Sequence, residues 1–130
     1  MRRVVLCMKP VLLMVTLWVT TVMSAYAQDA TKVDPKHYKL EFENEQVRVL
    51  RVSYGPGEKS VMHAHPANVA VFLTDGQAKF TMPDGKSQDA PIKAGTTRWG
   101  DGEKHLPENV GDKSFELILV ELKNKAAPAR

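Results

Sequence analysis

Gly57-Glu58-Lys59-Ser60-Val61-Met62-His63-Ala64-His65-Pro66 is the stretch on which the reading of this chain turns. On a β-strand, residues i and i+2 point to the same face. His63 and His65 therefore present two imidazoles side by side, about 7 Å apart along the strand. Both can lean onto one ion at metal–nitrogen distances of about 2 Å. The competing reading of H-x-H is a pair of surface histidines on an edge strand ahead of Pro66.

On either side of this stretch the pattern is almost all β. Leu40-Glu41-Phe42-Glu43 alternates apolar and charged residues, and Val47 to Val52 is rich in β-branched residues. Val69 to Leu73 is a short apolar run, Ala78 to Met82 alternates again, and Phe115 to Leu122 is the most apolar stretch after the N-terminus. Gly55-Pro56-Gly57, Asp75-Gly76, Pro83-Asp84-Gly85 and Gly111-Asp112 supply turn chemistry between the runs. No window carries an amphipathic helix of ordinary length. Short strands at regular spacing predict an all-β antiparallel sandwich or barrel.

The histidine pair has a frame. It reads G-x5-H-x-H from Gly57 to His65, and eleven residues on, Gly76 closes an apolar strand. Some thirty residues further comes Gly102-Glu103-Lys104-His105-Leu106-Pro107-Glu108-Asn109, which is G-x2-H-x3-N. From Leu40 to Leu122 the chain resembles the cupin superfamily, whose two motifs are G-x5-H-x-H-x3,4-E-x6-G and G-x5-P-x-G-x2-H-x3-N. The resemblance implies a double-stranded β-helix, or jelly roll. It also implies that His63, His65 and His105 hold one divalent transition metal: Fe, Zn, Ni, Mn or Cu.

Two departures from the family pattern matter. The family's glutamate ligand is missing, since Val69 stands seven residues before Gly76 and its neighbour Ala70 is no ligand either. In the second motif, Gly100 or Asp101 stands where proline is expected, and Gly95 opens the motif one residue out of step. Three neutral imidazoles leave a divalent ion its full charge, with water, hydroxide or an anionic substrate completing its sphere. A three-histidine set without glutamate is similar to that of cysteine dioxygenase, which binds iron; the likeness is one of ligands, not of substrate. The family's inward glutamate position implies that Val69, Val71 and Leu73 face the interior, with Val69 walling the site, and that Phe72 lies outside. An outer Phe72 needs cover from the first strands or from another subunit, and a homodimer is the expectation.

Around this centre Arg98 is a candidate substrate anchor, because its planar fork matches a carboxylate or phosphate; its plain alternative is a solvated arginine on a strand. Trp99 reads as core or pocket wall. Asp101, Glu103 and Glu108 are candidate replacement carboxylates or solvated turn residues. Asn109 is expected to bond a loop backbone, and His37 to be exposed. A small organic molecule is the expected ligand or substrate. Dioxygenase- or isomerase-like chemistry depends less on a protein base than hydrolysis does, while a non-catalytic metal- or ligand-binding module, or a metal serving only as a staple, fits the same residues.

The ends of the chain set its compartment and charge. Arg2, Arg3 and Lys9 precede an apolar run from Val11 to Met23 and then Ser24-Ala25-Tyr26-Ala27, which reads as a cleaved signal peptide over residues 1–27. The run is shorter than the roughly 20 residues that span a bilayer. A periplasmic or secreted protein is expected, with no membrane attachment after cleavage. Three of the 18 Lys and Arg residues, and none of the 15 Asp and Glu, fall within the signal, so the mature charges balance. No basic stripe remains for nucleic acid. The single cysteine, Cys7, also leaves with the signal, so no disulfide supports the mature domain. Residues 28–38 are expected to be a flexible leader, 39–123 the barrel, and 124–130 a frayed tail.

Overall fold

A computed structural model describes residues 28–123. The expected signal peptide (1–27) and frayed tail (124–130) lie outside the described residues. One short helix, α1 (Ala30–Val33), precedes nine strands: β1 (Tyr38–Glu43), β2 (Val47–Tyr54), β3 (His63–His65), β4 (Asn68–Phe72), β5 (Gly76–Thr81), β6 (Ser87–Ile92), β7 (Thr97–Gly100), β8 (Glu103–Asn109) and β9 (Phe115–Leu122). They form two sheets, in the orders β1-β2-β9-β4-β7 and β3-β8-β5-β6. Every strand pair is antiparallel. Such interleaving of non-sequential strands in two facing sheets is a jelly roll. Among the described residues no helix is long and apolar enough to cross a membrane.

Strand alternation builds the interior. On β9, Phe115, Leu117, Leu119 and Glu121 are buried while Glu116, Ile118, Val120 and Leu122 are half-buried on the outer face. Registry carries that parity across the sheet in layers: Arg48, Glu121 and Asn68 lie side by side, then Leu50, Leu119, Ala70 and Arg98, then Val52, Leu117 and Phe72. The core gathers Tyr38, Leu50, Val52, Tyr54, Phe72, Ala78, Ile92, Phe115 and their neighbours. Gly76 is fixed by this packing, because a Cβ there would stand 2.6 Å from the Cβ of Phe115.

Registry corrects one expectation. Ala70 and Phe72, not Val69 and Val71, share the face of Leu119 and Leu117, and Phe72 is only 6% exposed. A slip of one residue turns every side chain of a strand to the other face. The family's spacing allows three or four residues between the second histidine and the glutamate; the longer count, ending at Ala70, is the one whose side chain faces inward. Val69 is therefore no wall of the site. With Phe72 inside, the reason for expecting a second copy over it disappears.

A second correction concerns residues 28–38, expected to be a flexible leader. Asp29 caps α1, accepting from Thr31 N at 2.9 Å and Thr31 Oγ1 at 2.8 Å. Its backbone forms a parallel bridge to Ala64, between the two histidines of β3. Ala30, Asp34, His37 and Tyr38 are all buried. His37, expected in solvent, stacks on Tyr54 with ring centroids 4.2 Å apart. Its two ring nitrogens meet Asp34 Oδ2 at 2.7 Å and Glu58 Oε2 at 3.1 Å.

Candidate metal centre

His63 and His65 project from β3, and β8 lies beside it with His105 directly opposite His63 and Glu103 opposite His65. Alternation along both strands puts all four on one face, with Glu103 at its exposed end. The three histidines are buried. Their rings lie 4.7, 5.2 and 5.3 Å apart between centroids, each pair edge to face. One ligand atom from each lies within 4.8 Å of the other two. Residues 40 positions apart in the chain are thus brought to one point by a single antiparallel pair of strands.

The hydrogen bonds decide which nitrogen faces that point. His63 Nδ1 lies 2.8 Å from the carbonyl of Val61, an acceptor only, so Nδ1 carries the proton. His65 Nδ1 meets Glu121 Oε1 at 2.7 Å, and His105 Nδ1 meets Glu103 Oε1 at 2.9 Å. In each ring the Nδ1–H is spent on the protein and the Nε2 lone pair is turned inward. His63 Nε2 is buried with no hydrogen-bond partner. Leaving such an atom unpaired costs about 1–3 kcal/mol, which a metal bond would more than offset. Residues of this kind and arrangement fit a divalent transition metal.

Electrostatics hold His63 and His105 toward the neutral, ligating form. Burial, helped by the neighbouring His65, pulls the His63 pKa from 6.5 down to about 3. Burial also lowers that of His105, against the raising effect of its bond to Glu103. Tyr38 packs against His63 and His65 with ring centroids at 4.8 and 5.4 Å. Burial pushes the pKa of Tyr38 and of its partner Tyr54 upward, so both stay phenols.

Behind the rings the protein holds its carboxylates. Glu121 is 2% exposed and bonds His65 on one oxygen and Arg48 Nη1, at 3.1 Å, on the other. Arg48 also pairs with Asp29 at 3.0 Å, and Asp29 bridges back to Ala64 beside His65. The result is a closed ring of contacts from His65 through Glu121, Arg48 and Asp29 to Ala64. Behind His63, the Ser60 hydroxyl donates to Asp34 and lies 3.3 Å from His63 Nδ1. Carboxylates of this kind fix the tautomer and raise the basicity of metal-binding histidines.

Of the other expected residues, Asn109 is fully buried and donates to the carbonyls of Gly55 at 2.9 Å and Lys113 at 2.8 Å, as expected of a loop anchor. Glu108 lies on the surface, 3.8 Å from Lys59, and Asp101 accepts from the Trp99 indole at 2.7 Å. Trp99, expected in the core or pocket wall, lines the cavity at its rim with 55% of its surface exposed. Arg98 shares the parity of Ala70, is itself exposed, and borders the mouth of a cavity of about 240 Å³. That cavity runs from His65, His105 and Glu103 over Ala70, Phe80, Met82 and Leu119. Glu121 and Arg48 were not anticipated, although each is the one charged residue on the inward parity of its strand.

No family model and no curated protein matches the chain. Solved structures do. A cupin domain from Bordetella pertussis Tohama I is 26% identical, with a TM-score of 0.62 over 67% of this chain and 92% of that one. A cupin superfamily protein from Desulfitobacterium hafniense is 15% identical with a TM-score of 0.52, covering 67% of this chain and 76% of that one. A cupin family protein with a double-stranded β-helix fold from Methanocaldococcus jannaschii is 19% identical with a TM-score of 0.53, covering 68% and 83%. The last two bear on the fold alone. The Bordetella likeness, the two interleaved sheets and the three converging histidines together support the cupin superfamily for this chain.

Proposed function

We propose that this chain is an exported cupin that holds one divalent transition metal on the Nε2 atoms of His63, His65 and His105 and acts on a small organic molecule in the adjoining cavity. The observation that carries the reading is the buried, unpartnered Nε2 of His63, beside two more imidazoles whose Nδ1 atoms are already engaged. A metal bound there supplies Lewis acidity or, if redox-active, access to dioxygen, which suits a dioxygenase- or isomerase-like reaction. The chain's own part is to bury three imidazoles, aim them with Glu121, Glu103 and the Val61 carbonyl, and enclose the substrate in a largely apolar cavity. Arg98 at the cavity mouth is the proposed substrate anchor, and Trp99 borders the entrance.

A non-catalytic binding module is the second reading. It is favoured by the engagement of both carboxylates nearest the centre, Glu121 with Arg48 and Glu103 with His105, which leaves neither free as a base. Elemental analysis of the chain purified with export intact tests the metal reading. One transition metal per chain is expected, with its loss in His105→Ala. A native protein that takes up no metal, or a His105→Ala variant that keeps it, refutes the assignment.

A further inference from the structure

The cavity beside the histidines has one charged group with little to do in the fold. Arg98 lies on β7, at the edge of its sheet, opposite Ala70 and in one layer with Leu119 and Leu50. Its guanidinium carbon sits 5.4 Å from the centre of the Phe72 ring, and Nη2 reaches the Pro91 carbonyl at 3.3 Å. Pro91 is on β6, the edge of the other sheet, so the side chain spans the seam where the two sheets meet. A guanidinium has five N–H donors, and among the described residues no carboxylate pairs with this one. Every other arginine described, Arg48 and Arg51, is held by at least two carboxylates.

The cavity is lined largely by apolar side chains, Ala70, Phe72, Phe80, Met82 and Leu119 among them, with Asn68, Gln88 and Glu103 as polar members. The volume, about 240 Å³, lies below the roughly 300–1,000 Å³ of sites for drug-sized ligands. We infer that the cavity selects a compact organic anion, with an apolar body against these walls and its carboxylate on the fork of Arg98. The inference names a substrate class for the proposed function and rests on the same cavity, but the anion preference stands apart from the metal. A planar fork on an aromatic face takes a carboxylate in two parallel hydrogen bonds. A neutral amide of the same shape forgoes the charge.

The test uses metal-free protein, so that a carboxylate cannot bind through an ion. Binding of 4-methylpentanoate and 4-methylpentanamide is followed by NMR chemical-shift titration at neutral pH. The carboxylate is expected to bind at least about tenfold more tightly, as charge-assisted hydrogen bonds outweigh neutral ones. Arg98→Gln is expected to equalise the two probes, and Arg98→Lys to restore part of the difference. Zinc uptake by Arg98→Gln should match the native chain, which shows that the variant folds. Equal binding of the two probes, a preference that survives in Arg98→Gln, or no saturable binding of either overturns the inference. Loss of metal uptake in the native chain would strike the proposed metal centre and leave the anion preference standing.

Discussion

Replacing Glu121 by Gln exchanges one carboxylate oxygen for an NH2 group and removes one charge at the point where the candidate metal centre joins the barrel. Glu121 is 2% exposed, 2.7 Å from His65 Nδ1 and 3.1 Å from Arg48 Nη1. The amide oxygen of Gln can still accept from one neighbour, but its NH2 must then face the other, which is also a donor. His65 loses the carboxylate that fixes its tautomer and makes Nε2 more basic. Losing such a partner weakens metal binding by about 10–100-fold, or roughly 1.4–2.7 kcal/mol. Arg48 keeps Asp29 at 3.0 Å and some contact with water. The fold should therefore lose less than the roughly 3–5 kcal/mol that follows when a buried pair is broken outright. About 1 kcal/mol is worth roughly 4–8 °C in a domain this size. The assay is zinc affinity by chelator competition, with melting of both metal-free and zinc-loaded protein. A variant that melts earlier without metal yet binds zinc as tightly as the native chain would refute the reasoning, because Glu121 would then support only the barrel.

Acid should destabilise the metal-free domain. The unfolded chain protonates an imidazole near pH 6.5, while His63 in the fold refuses the proton until about 3. Stability is therefore full above pH 6.5 and falls as the pH drops from there toward 3, by up to about 1.4 kcal/mol per unit for this one group. Urea titrations at pH 7.5 and 5 measure it, and His63→Gln should flatten the slope; an unchanged slope defeats the assignment. Asp34→Ala strips the acceptor from buried Ser60 and His37 and should cost about 1–3 kcal/mol; a melting temperature equal to the native one would show that the N-terminal segment adds nothing. Gly76→Ala drives a Cβ into Phe115 at 2.6 Å and should cost about 1–3 kcal/mol, whereas the exposed neighbour change Gln77→Ala should be close to neutral in the same denaturation series.

Much of this architecture can be read from residue patterns. β2, β4, β5 and β9 stand where alternation and β-branched residues indicate them, because both are consequences of a pleated strand with one buried face. β6 was not among the expected strands: Ser87-Gln88-Asp89-Ala90-Pro91-Ile92 contains a proline and little β-branching. Its place at a sheet edge is where proline is tolerated. The three histidines follow from motif spacing, but the face of β4 does not, since Val69-Ala70-Val71-Phe72 is apolar at both parities and only pairing with β9 separates them. Glu121 was within reach, being the one charge on the inner parity of β9. The packing of Asp29, Asp34 and His37 was not, because it rests mainly on contacts to residues 17 to 35 positions away that no local period encodes.

The ring from His65 through Glu121, Arg48 and Asp29 joins the first described turn of the chain to its last strand. A chain lacking β9 would keep all three imidazoles of the candidate centre and lose the carboxylate that orients His65. Any ion held there would then depend on a strand that supplies none of the three histidines.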